Sequence, residues 1–189
     1  RCFRRISRPD GNRMSFTNTN TTAEIVALTT ADIQQLTAID IGGLSTAQVA
    51  VMSSRQLLAL TTSAIVALDT NQVQALSTSG VSGFKTTQVS AFTTLQIQAL
   101  TSAQISVINA TVIGGLTTDQ VAAMETGDLA ALTTRQIVKL STNAMAVLST
   151  EQLASLGTAA LAALTTRQLQ TLSGVQFEVF DTSDLAALT

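Results

Sequence analysis

From Leu28 to Leu188 every eighth residue is Leu, Met, Ile or Phe, and five places after each comes a second apolar residue: Ile33, Ile41, Val49, Leu57, Ile65, Val73 and onward to Leu185. The eight places are numbered here from the large aliphatic. Position three is Thr or Ser except at Ala38, Ala110 and Gly174, position two is mostly Thr, Ser, Asp or Asn, and position eight is usually Ala, Gly or Val. No insertion breaks the phase over twenty octads. A fixed short period outranks any local motif and predicts a repeat architecture.

One continuous helix is excluded. Eight residues at about 100° each overshoot two full turns by about 80°, so positions one and six would share no face. The chain must break in every octad, and its side chains say where. A hydroxyl at position two followed by Gln at position five is the capping-box pattern: Thr117 with Gln120, Thr133 with Gln136, Ser149 with Gln152, Thr165 with Gln168. The hydroxyl accepts from the N3 amide and the glutamine reaches back to the N-cap amide. Positions one and six then fall at N′ and N4, where a hydrophobic staple forms. The array reads as a string of helices of five or six residues, each cap contributing about 1 kcal/mol. Such short helices are unstable alone and must stack. Small residues at position eight (Ala59, Gly83, Gly115, Ala123) admit close backbones.

A longer period overlies the octad. Position five is Gln at 56, 72, 88, 104, 120, 136, 152 and 168, with Ala64, Gly80, Gln96, Val112, Asp128, Ala144 and Ala160 between them. This alternation predicts an all-α solenoid whose coil is sixteen residues, two helices per coil. Position four of the glutamine octads reads Asp119, Arg135, Glu151, Arg167, which such a coil would stack as a ladder of alternating charge. The rival is a β-solenoid with the same sixteen-residue coil, since Thr, Val and Ile suit strands. Against it stand the helix formers Ala, Gln, Leu and Met at the variable positions and the lack of regular corner residues.

Composition narrows the chemistry. The chain has 189 residues, 46% hydrophobic but only 12% charged, with no His, Trp or Tyr. Without His a Ser or Thr nucleophile has no ordinary general base, so the hydroxyls read as caps and no catalytic or cofactor-binding residue is expected. No apolar run approaches a membrane span, so membrane insertion is not expected. The net charge of −2 hides a basic first segment, Arg1, Arg4, Arg5, Arg8 and Arg13, before an acidic body. An acidic body disfavours nucleic acid. Residues 1–19 are assigned to a basic and polar N-terminal segment and 20–189 to the solenoid. Met14 is the candidate start of translation, and a basic docking arm is the other reading of what precedes it. That segment lacks the apolar run of a secretory signal. The single cysteine, Cys2, precludes an internal disulfide. Glu24, Asp32 and Asp40 at successive position-five places could offer oxygens to calcium, but acids at N3 also suit the helix dipole, and no metal site is assigned. Ile41-Gly42-Gly43 and Ile113-Gly114-Gly115 lack the strand and lysine of a phosphate loop and are expected to mark tight contacts or a slight bend. Asn20-Thr21-Thr22 and Asn109-Ala110-Thr111 are formal glycosylation sequons.

Two resemblances follow from these residues. Leu116-Thr117-Thr118-Asp119-Gln120-Val121-Ala122 resembles the opening of the transcription-activator-like effector repeat, which implies a helix beginning after Thr117. The eight-residue period and the missing base-reading dipeptide do not carry DNA recognition over. The whole array also resembles the Leu-Thr-Thr-x-Gln-Ile/Val-x-Ala tracts of large bacterial secreted or surface proteins. That likeness implies an extracellular or cell-surface location, although a cytoplasmic one also fits the composition. The expectation is a non-catalytic rod, spacer or filament subunit that self-associates head to tail. The sequence ends at "LAALT", two residues into a new octad, without the polar cap that solenoids normally carry, so the expectation is either a longer native protein or an open end that joins another copy. A protein- or peptide-binding module that uses the glutamine column is the alternative.

Overall fold

The computed structural model describes residues 21–188. The basic segment assigned to residues 1–19, with Cys2 and Met14, lies outside the described residues, as does Asn20. Among the described residues there are 21 helices of four to six residues, from α1 (Thr22–Val26) to α21 (Thr182–Ala187), and no strand. The protein is an all-α solenoid with one helix per octad, which disposes of the β-solenoid.

Each octad folds by the same local logic. The position-two residue is extended, as at Thr93 (φ −70°, ψ 163°) and Ser149 (φ −69°, ψ 163°), and the helix starts at the next residue. The extended N-cap and the position-one residue before it make a corner that redirects the chain. Position six, at N4, points inward. Ile33, Ile41, Leu57, Ile65, Ile113 and Ile137 are wholly buried, and position-one residues such as Leu60, Leu76 and Leu100 are nearly so. Two aliphatic columns thus form one continuous core. Burying a side chain of this size contributes roughly 1.5–3 kcal/mol.

The packing corrects the expected coil. Helix α7 (Thr70–Ala75) lies between α4 (Thr46–Ala50) and α10 (Thr94–Ala99), and α10 packs in turn on α13 (Thr118–Ala123). The stacked pairs are three helices apart throughout. One coil is therefore three octads instead of two. The physical reason is that the coil closes when its corners complete a full turn. Every octad has the same extended N-cap and turns the chain by a similar amount, whatever stands at position five. Side-chain alternation does not report that angle.

Close stacking explains several glycines. A Cβ at Gly115 would collide with Thr86 Cγ2, and one at Gly114 would come within 2.7 Å of the Lys139 carbonyl oxygen. Lys139 stands three octads after Gly115, at the matching place in the next coil. No helix among the described residues is long and apolar enough to cross a membrane.

Candidate functional site

The polar feature that recurs through the array is the helix corner. Thr117 Oγ1 accepts from the Gln120 backbone N–H at 3.2 Å, and Gln120 Oε1 accepts from the Thr117 N–H at 2.9 Å. The same reciprocal pair joins Thr133 with Gln136 (3.3 and 2.7 Å), Ser149 with Gln152 (3.1 and 2.9 Å) and Thr165 with Gln168 (3.3 and 2.9 Å). Each pair gives a partner to two amide donors at the helix start, and the Gln136 N–H also donates to the Thr133 carbonyl at 2.9 Å.

The other half of the glutamine does something that a capping box does not require. In α13, Gln120 Nε2 donates to the carbonyls of Val89 (3.0 Å) and Phe92 (2.7 Å). Val89 ends α9 (Thr86–Val89), and Phe92 precedes the N-cap of α10. Because α10 is the helix stacked against α13, the amide clamps the corner of one coil onto the corner of the preceding coil. Gln136 of α15 (Thr134–Ile137) clamps Ile105 and Ile108 (both 2.8 Å). Gln168 of α19 (Thr166–Leu169) does the same to Ile137 and Leu140 (2.8 and 2.9 Å). Gln152 of α17 (Thr150–Ala154) reaches Met124 at 2.8 Å and Val121 at 3.4 Å. Each amide thus reaches back past one full coil to the same two places of the octad. Gln56, Gln72, Gln88, Gln96, Gln104 and Gln176 repeat the arrangement.

This clamp accounts for glutamine where glutamate would cap equally well. A carboxylate can accept from the N-cap amide but has no proton to offer the carbonyls of the next coil. After Leu44 no octad has Glu at position five. That preference was the available signal, and capping alone does not explain it. The clamp also gives the sixteen-residue alternation a place. Gln88 grips Leu57, the residue after Gln56, and Gln120 grips Val89, the residue after Gln88. Glutamine octads are thus linked to one another across four octads, while the coil itself closes every three.

Two expectations are corrected. The ladder of Asp119, Arg135, Glu151 and Arg167 does not stack, because these residues sit on α13, α15, α17 and α19, two helices apart. The helix stacked on α13 is α16 (Thr142–Ala146), so the next residue in the column of Asp119 is Asn143. The glutamine column is also not an exposed binding surface. Gln72 is 1% exposed and Gln120 3%, because the side chain folds back over its own N-cap and against the preceding coil.

The acids at position five behave differently. Asp40 Oδ2 accepts from the Thr37 hydroxyl at 2.6 Å and the Thr37 N–H at 2.9 Å. Glu24 and Asp32 accept in the same way from Thr21 and Thr29. Each carboxylate is engaged at its own helix start, and no group of three or more candidate metal ligands occurs among the described residues. Asp128 is buried and accepts from Ser102 Oγ at 2.9 Å. Burial pushes its carboxyl above the ordinary range, the Ser102 hydrogen bond opposes this, and Glu125 adds to the rise.

No curated protein matches the chain. The family model of the ALTTAQ repeat matches five overlapping stretches, residues 25–62, 39–70, 52–86, 65–102 and 121–158. These cover more than half of the sequence, and the chain belongs to the ALTTAQ repeat family.

Proposed function

We propose that this is a non-catalytic structural repeat protein: a rod or spacer that self-associates end to end within a bacterial surface or adhesive assembly. The observation that carries this reading is the corner clamp. The most regular polar side chains of the molecule spend their hydrogen bonds on holding coil to coil, at Gln56 as at Gln168. A side chain so committed serves the length and stiffness of the array. The core supports the same reading, because its two columns run through successive coils without a specialised interruption. A surface with few charges and many Thr hydroxyls suits an extended rod whose faces are equivalent.

Electron microscopy of the purified chain tests the proposal. The expected images are unbranched rods of even width that join end to end as concentration rises. Deleting three consecutive octads should shorten the unit by one coil and leave the remainder folded. Compact particles that stay monomeric at every concentration would remove the self-association. Capture of a partner that is lost on substituting exposed position-four residues would favour the binding-module reading instead.

A further inference from the structure

Among helices with described neighbours on both sides, only α14 (Thr126–Ala130) and α18 (Thr158–Ala162) lack both a side-chain cap and a glutamine clamp. The N-caps are Glu125, whose side chain accepts nothing from the helix start, and Gly157, which has no side chain to do so; only their backbone carbonyls take the N3 amides, at 3.1 and 2.8 Å. Helix α18 is three-fifths alanine, the best helix former. It is also tied onward by Thr158 Oγ1, which donates to Asp184 at 3.2 Å.

Helix α14 has a comparable hydroxyl–carboxylate tie, from Ser102, but not the alanine content. Gly127 stands inside its five residues, where glycine is the poorest helix former after proline. A Cβ there would meet nothing closer than 4.0 Å, so packing does not require the glycine. Asp128 occupies the position from which a glutamine would clamp Ile97 and Leu100. A carboxylate cannot donate to those carbonyls, and this one is buried at N3 of the first turn with another acid at the N-cap. It is held instead by the Ser102 hydroxyl of α11 (Ser102–Val107). Cap, helix propensity and clamp are three separate contributions, and α14 is weak in all of them.

We propose that α14 is a joint: the place where the array opens first, so that the blocks on either side stay folded while this one octad unwinds. In a solenoid each unit is held only by itself and its neighbours, so a locally weak unit opens locally. The joint does not depend on whether the array is a spacer or a binding module.

Amide hydrogen exchange of the full chain, followed by mass spectrometry at fixed pH, tests it. The amides of residues 126–131 should exchange at least about tenfold faster than those of α13 and α15, as expected when two hydrogen bonds of ordinary net worth are missing. Asp128→Gln should slow them to the rate of their neighbours. Glu125→Thr, a surface change that restores a cap, should slow them about fivefold and keeps the test open if the first variant does not fold. Gln136→Asp should create a second fast segment at α15. Exchange at α14 no faster than at α13 and α15 overturns the proposal. So does a folded Asp128→Gln or Glu125→Thr chain in which α14 exchanges as before.

Discussion

The coil α9–α11 and the coil α14–α16 are built on the same backbone and the same apolar columns. Val89, Ile97 and Ile105 in the first are as deeply buried as Leu129, Ile137 and Met145 in the second. They differ in their corners. Gln88, Gln96 and Gln104 clamp all three corners of the first coil to the coil before it. The second coil has Asp128 and Ala144 at two of the three places, and only Gln136 clamps. The comparison separates two jobs. Aliphatic burial makes the array condense, and the position-five amide decides how firmly neighbouring coils are registered.

The largest effect should come from breaking the firm coil. Gln96→Leu nearly keeps the volume but takes their partner from the Thr93 N–H and the Leu68 carbonyl, while the Ile65 carbonyl keeps the Leu68 N–H. A buried group left unsatisfied costs about 1–3 kcal/mol, so a loss of about 3 kcal/mol is expected in urea denaturation. A loss under about 1 kcal/mol would show that the clamp is incidental. Next comes repair of the loose coil. Ala144→Gln places an amide opposite the Ile113 and Leu116 carbonyls and should stabilise the chain by about 1–2 kcal/mol. No gain in thermal midpoint would mean that this corner has no room for the side chain.

A smaller change should follow Thr93→Ala, which removes one cap from a corner that keeps its clamp. About 1 kcal/mol is expected, measured beside Ser141→Ala in the unclamped α16. The same loss at both sites would show that cap and clamp act independently. The smallest effect concerns pH. Burial raises the Asp128 carboxyl above its unfolded value, so its contribution is fully present below the ordinary carboxylate range. That contribution is lost as pH rises through the raised value. Protection of α14 amides, corrected for intrinsic exchange, should therefore be greater in mild acid than at neutral pH, and Asp128→Asn should flatten the trend.

Much of this could be read from the residues. The octad phase, the break in each octad, the N-cap at position two and the inward columns all follow from spacing and from the capping chemistry of Ser, Thr and Gln. Thr133 and Gln136 meet within one octad, and so close a pairing leaves a local trace. The coil length left no such trace. The sixteen-residue alternation suggested two helices per coil, and the packing has three. The charge column failed for the same reason: Asp119 and Arg135 alternate along the sequence but lie on different sides of the coil.

The sequence by itself determined where each helix starts, which apolar side chains face inward and that the units must stack, because these depend on contacts within a single octad; that the glutamines are buried too depends on the neighbouring coil. Only the tertiary structure decided that three units close a coil and that Gln120 holds Val89 and Phe92. A corner's turning angle is a property of the backbone shared by every octad, so side-chain variation does not encode it. A hydrogen bond to a backbone carbonyl of the preceding coil asks nothing of the residue that supplies the carbonyl, so one end of the clamp leaves no mark in the sequence.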